Sequence, residues 1–104
     1  MRNLNQKEWA EGIESDPDAV ILDVRTEEEC SEGIIPGAKM LDIYKPDQFM
    51  EGIGSLDKDK NYYVYCRAGA RSAQACHIME SQGIKNTNNL DGGFMQWTGK
   101  QVLP

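Results

Sequence analysis

One stretch of the chain combines residue types and spacing that could do chemistry: Cys66-Arg67-Ala68-Gly69-Ala70-Arg71-Ser72. Cys66 supplies a thiol, and its thiolate is the form that attacks. Gly69 opens backbone angles closed to other residues, so the segment can curl tightly. Ala68 and Ala70 carry side chains too small to block the mouth of such a curl. A curled run of amides leading into a helix at Ser72 forms an anion-binding concavity, which the helix dipole strengthens. Arg67 and Arg71 add two permanent positive charges able to grip an oxyanion in bidentate fashion. Cys66 stands at the edge of this concavity, where its thiolate is favoured. The chemistry expected is attack by a thiolate, with a covalent intermediate on Cys66. A free cysteine more often packs as a small hydrophobe. Here strand, Cys, Arg, Gly, Arg and helix agree, and that agreement makes Cys66 the candidate nucleophile.

Elements must position this loop. Val20-Ile21-Leu22 leading into Asp23-Val24, and Tyr62 to Cys66, are short apolar runs bounded by polar residues, and they read as buried strands. Ala38–Leu41 and Thr87–Leu90 read as weaker ones. Asn5 with Glu8 has the spacing of a capping box, and Trp9 with Ile13 gives that helix an inward face. Thr26 with Glu29 repeats the signature. Glu27, Glu28 and Glu29 read as first-turn carboxylates offsetting the helix dipole, not as an acid–base cluster. Pro46 and Asp47 open a helix through Ile53 that Gly54 can close. Ser72–Gln82 is the clearest helix, with Ala73, Cys76 and Met79 on one face and Gly83 just past its end. Strands alternating with helices predict an α/β fold with a mostly parallel sheet. Ligands in such sheets sit beyond the carboxyl ends of strands, which is where the loop after Cys66 falls.

Composition limits the partners. The chain has 104 residues, with 11 Lys+Arg against 17 Asp+Glu and a net charge of -6. That size and the absence of repeats or linkers predict one domain over 1–104. An acidic balance excludes nucleic acid and anionic membranes as general partners, but leaves room for a small cationic mouth. Three cysteines, Cys30, Cys66 and Cys76, form no C-x-x-C pair, so at least one thiol is free. Cys30 and Cys76 read as packing residues. His77 is the only histidine, so no metal site is expected. Nothing near it in sequence marks it as a base, and the methionines are too scattered for a metal box. The opening MRNLNQKEWAE lacks a secretory apolar stretch, and no run is long enough to span a membrane. A cytoplasmic location is expected, provided no leader has been removed.

Cys66-Arg67-Ala68-Gly69-Ala70-Arg71 resembles the active-site loop of the rhodanese family of sulfurtransferases. Other segments resemble family landmarks in the same order: Leu22-Asp23-Val24-Arg25 with Glu29, then Gly33-Ile34-Ile35-Pro36-Gly37-Ala38, then Asp91-Gly92-Gly93 through Trp97. The resemblance runs from about Leu4 to Trp97. Ile34 departs from it, standing where the family usually has His, a position read as structural. The resemblance implies a five-stranded, mostly parallel sheet with helices on both faces. It places the nucleophile at Cys66, the sulfur cradle at Arg67, Ala68, Gly69, Ala70, Arg71 and Ser72, and a supporting pair at Asp23 and Arg25. It implies thiosulfate sulfurtransferase activity: a small anionic donor, a Cys66 persulfide, and a thiol or cyanide acceptor. No cofactor beyond that persulfide is implied, and a sulfur-relay protein is a further class of partner.

Three other readings stay open at this stage. A persulfide carrier would need the same cradle. A regulatory binding module of the same fold typically loses the loop cysteine, which is present here. A Cys-dependent phosphatase or arsenate reductase would use a loop one residue longer than the four-residue gap from Cys66 to Arg71, and it commonly has His where Tyr65 stands.

Overall fold

Apolar residues on both faces of a strand require cover on both sides, and the computed structural model, which describes Met1–Pro104, provides it. The elements run β1 (Arg2–Leu4), α1 (Gln6–Ser15), β2 (Ala19–Asp23), α2 (Glu27–Ser31), β3 (Lys39–Met40), α3 (Pro46–Gly54), β4 (Asn61–Tyr65), α4 (Ala70–Ser81) and β5 (Asn86–Leu90). A short 3-10 turn, Phe94–Gln96, follows. The five strands lie in the order β1-β5-β4-β2-β3 and every pairing is parallel. This is the α/β sheet with helices on both faces that the sequence implied.

Alternation along β4 divides the core. Tyr62 and Val64 face Phe49 and Ile53 of α3 and Ala75, Cys76 and Met79 of α4. Tyr63 and Tyr65 face Trp9 of α1, with Ile35 and Leu90 completing that side. Trp9 meets Tyr63 and Tyr65 edge-on, with ring centroids 5.9 Å apart in both pairs. Its indole N–H donates to the Asn88 carbonyl, so its polar end is not left bare. Ile34, at the departure from the resemblance, is buried and exchanges backbone hydrogen bonds with Val102 at 2.8 and 2.9 Å, which ties down the C-terminal segment.

The structure adjusts several boundaries. β1 escapes sequence reading because Arg2 and Asn3 show no apolar pattern; its register is set by pairing with Asn88 and Asn89 on β5. α4 begins at Ala70, two residues before Ser72. Ala75 and Ser72, not Ala73, join Cys76 and Met79 in the interior. Gly54 is the last helical residue of α3 and not a left-handed terminator, whereas Gly83 takes φ +95 just beyond α4. Both capping boxes, Asn5 with Glu8 and Thr26 with Glu29, are formed in full.

Candidate active site

Cys66 immediately follows β4 and points into the turn that opens α4. Gly69, at φ +110, reverses the chain there and stands as the N-cap of α4 with no side-chain cap. The first amides of the helix are therefore free to face a ligand. The Gly69 amide donates to Cys66 Sγ at 3.1 Å, and the Ser72 hydroxyl lies 3.3 Å from the same sulfur. Burial on its own would push the Cys66 thiol up. The Ser72 hydroxyl and the amides of Ser72, Gly69 and Ala68 outweigh it, and the pKa ends below its ordinary value. No arginine is among these leading causes. The sequence placed Cys66 beside both amides and arginines; the leading lowering contributions come from the Ser72 hydroxyl and the loop amides.

The second wall of the loop is the 3-10 turn. Phe94 donates its amide to the Cys66 carbonyl at 2.9 Å, and Met95 to the Arg67 carbonyl at 3.0 Å. Gly93 makes that approach possible: at φ +62, a Cβ there would collide with the Arg67 carbonyl. Below the loop, Asn89 of β5 supports it. Its Nδ2 donates to Asn3 Oδ1 at 3.0 Å and to the Gly69 carbonyl at 3.3 Å, while its Oδ1 accepts from Ser72 at 2.5 Å. The Ser72 hydroxyl has one proton for the Asn89, Gly69 and Cys66 acceptors, and a thiolate on Cys66 draws it most strongly.

Asp23 and Arg25 form a buried ion pair, with Arg25 Nη2 at 2.7 Å from Asp23 Oδ2 and also 2.7 Å from the Gly33 carbonyl. The guanidinium lies 4.2 Å from the centroid of the Phe94 ring, so the pair props the turn that covers the loop. Arg71 is not a free cation. Its Nη1 and Nη2 reach Glu29 Oε1 and Oε2 at 2.7 and 2.8 Å, and its guanidinium sits over the Tyr44 ring at 5.3 Å. Chiefly through that hydrogen bond, Glu29 is held down to about 2. Arg67 is exposed and has no carboxylate partner. It borders an open cleft of about 450 Å³ together with Arg25, Glu29, Glu32, Phe94, Met95 and Gln101.

Sequence reasoning assigned Glu29 to the helix dipole and missed its partner, because Arg71 lies 42 residues away. It also missed Asn89. A signal was present: Asn86, Asn88 and Asn89 in a buried strand contradict strand propensity, and buried amides need partners. His77 is exposed on α4 and takes no part in the loop. Cys30 and Cys76 are buried outside it, and desolvation pushes both up to about 12.

The Rhodanese-like domain family matches residues 6–100. The Bacillus subtilis (strain 168) protein YtwF, which carries a provisional sulfurtransferase name, is 42% identical over 96% of this chain and 93% of its own. A protein of Allochromatium vinosum named sulfurtransferase is 32% identical over 93% of this chain and 88% of its own. The crystal structure of a rhodanese-like domain protein from Staphylococcus aureus superposes with a TM-score of 0.86 at 30% identity, covering 100% of this chain and 99% of that one.

Proposed function

The chain belongs to the rhodanese-like family, and we propose that it moves sulfane sulfur through a persulfide on Cys66. The Cys66 thiolate attacks the outer sulfur of a donor, the donor's S–S bond breaks, and its electron pair leaves with the remainder: sulfite from thiosulfate, thiolate from a persulfide. A thiol or cyanide then attacks the sulfur carried by Cys66 and restores the thiolate. Relatives named as sulfurtransferases support rhodanese-type sulfur transfer at this level.

The observation that carries the reading is the ring of donors around Cys66 Sγ, from the Gly69 amide at 3.1 Å to the Ser72 hydroxyl at 3.3 Å. These groups favour the attacking thiolate. They are also placed to stabilise the outer sulfur of a persulfide, where charge collects before the second attack. A lowered pKa helps in a second way, because a less basic thiolate leaves faster when the acceptor takes the sulfur.

Phosphate-ester chemistry fits poorly. A loop built for it carries its arginine one residue further from the cysteine than Arg71 stands from Cys66, and Arg71 is committed to Glu29 in a bidentate pair. The test is intact-mass measurement after incubation with thiosulfate. The expected result is a gain of one sulfur atom, reversed by cyanide and absent in Cys66→Ser. No gain from thiosulfate or from any organic sulfane donor would overturn the proposal.

A further inference from the structure

Asn89 lies in β5 at 4% exposure, and the Ser72 hydroxyl at 2.5 Å is the only donor that meets its Oδ1. The orientation of the amide is fixed from the other side. Its Nδ2 faces the Gly69 carbonyl at 3.3 Å, and a carbonyl only accepts, so the nitrogen must point there and the oxygen at Ser72. Asn3 of β1 holds the same nitrogen at 3.0 Å. Ser72 is wholly buried, and its single proton has three acceptors within reach: Asn89 Oδ1, the Gly69 carbonyl at 3.1 Å and Cys66 Sγ at 3.3 Å. A proton given to the sulfur is withdrawn from Asn89, and a buried oxygen left without a donor is unfavourable.

The preferred acceptor changes with the state of Cys66. Against a neutral thiol, the amide oxygen is the better acceptor. Against a thiolate, the charged sulfur wins. We propose that Asn89 is a positioning residue for Cys66: its fixed amide oxygen competes with Sγ for the Ser72 proton and takes it back whenever the sulfur carries no charge. The inference rests on the sulfur-transfer reading. There, Cys66–S–S⁻ holds its charge on the outer sulfur, so the inner Sγ releases the hydroxyl to Asn89. When the acceptor takes the outer sulfur, the S–S bond breaks, its electrons return to Sγ, and the hydroxyl turns to the thiolate. The proton stays on Ser72 Oγ throughout. The ionisable groups that feel Cys66 are Arg71 and Cys76 of α4, with Arg67 next to it in the chain. Asn3 of β1, Asn89 of β5 and the Phe94–Gln96 turn bring no charge, and Asp23 of β2 is held by Arg25.

The test is the pH profile of Cys66 alkylation in Asn89→Leu, which removes the oxygen but keeps the branched shape, with circular dichroism to check the fold. Without its competitor the Ser72 hydroxyl serves the thiolate at no loss to Asn89, so the Cys66 midpoint is expected to fall. Its dissociation constant should rise about twofold to tenfold, the worth of one hydrogen bond between neutral groups. A role in merely bracing the loop predicts the reverse, because losing the hold on the Gly69 carbonyl would loosen the amides around the sulfur. In a Ser72→Ala background the same substitution is expected to produce no fall. Asn89→Ala, which lacks the same oxygen, replaces Asn89→Leu if the larger side chain does not pack. An unchanged or raised midpoint, or a fall that persists in Ser72→Ala, would overturn the assignment of Asn89. Intact mass of the wild type is measured alongside: no loading from thiosulfate or organic sulfane donors would remove the sulfur-transfer reading, while the alkylation midpoints judge Asn89 on their own.

Discussion

Cys66 and Cys76 belong to the same apolar cluster on the same side of the sheet, at 1% and 0% exposure, yet their thiols are shifted in opposite directions. Burial disfavours the thiolate in both. The difference lies in where each stands relative to α4. Cys66 precedes the helix, where amides have no carbonyl partner within it and can turn to the sulfur. Cys76 sits inside the helix, where the amides are spent on the i to i-4 ladder, and Thr87 is its one lowering hydrogen-bond partner. Burial makes a cysteine inert unless the backbone has unspent donors beside it. One helix thus has a thiol of lowered pKa just before its start and one of raised pKa in its middle.

The comparison can be broken hardest at Gly93. A Cβ there meets the Arg67 carbonyl and the Ala68 amide, so Gly93→Ala must push the turn off the loop or distort the loop itself. Sulfur loading is expected to fall by about a hundredfold or more, as misplacement by about 1 Å at a reacting group does. Circular dichroism checks that the fold persists, and intact mass reads the loading.

Ser72→Ala removes one of the donors that separates Cys66 from Cys76 while leaving the helix start in place. The Cys66 pKa should rise, and alkylation near neutral pH should slow by roughly threefold to tenfold. A hydrogen bond to a charged group is worth about 1.5–3 kcal/mol, and the greater nucleophilicity of a more basic thiolate offsets part of that loss. An unchanged rate would mean that the amides alone set the thiolate.

The smallest effect is expected at the other end of the comparison. Cys76→Ala should leave sulfur loading unchanged and lower stability by about 1 kcal/mol through a small cavity, read from the urea midpoint. Its alkaline signature is sharper. A thiol with an ordinary value of 9.0 that the native state holds to about 12 contributes stability that is complete below pH 9 and is lost as pH rises toward 12. The variant should therefore lose less stability than the wild type across that window. Glu29 gives the opposite limb. Held at about 2 against an ordinary 4.5, it contributes stability present above 4.5 and lost as pH falls toward 2.

Much of the site was legible because its signals are local. The order Cys66, Arg67, Gly69, Arg71 speaks of a loop between a strand and a helix. Asp23 and Arg25, two residues apart, fold back on each other within hydrogen-bond reach. The capping boxes at Thr26 and Asn5 are three-residue patterns and formed as written. What stayed hidden is non-local or disguised. β1 is polar at Arg2 and Asn3 and is recruited by β5. Glu29 looks like any first-turn carboxylate until the fold sets it against Arg71, and that pairing leaves Arg67 as the loop's one guanidinium without a carboxylate partner. Asn89 sits in a strand, where side-chain amides are poor formers, and its value emerges only once α4 and β1 are placed on either side of it.

The most direct test of this account is peptide-resolved alkylation of the native protein across pH with a small reagent. The account predicts that Cys66 is labelled with a midpoint below the ordinary thiol value, while Cys30 and Cys76 stay silent until about pH 12 or until the chain is unfolded. Labelling of all three in parallel, or a Cys66 midpoint at or above that of a free thiol, would contradict it.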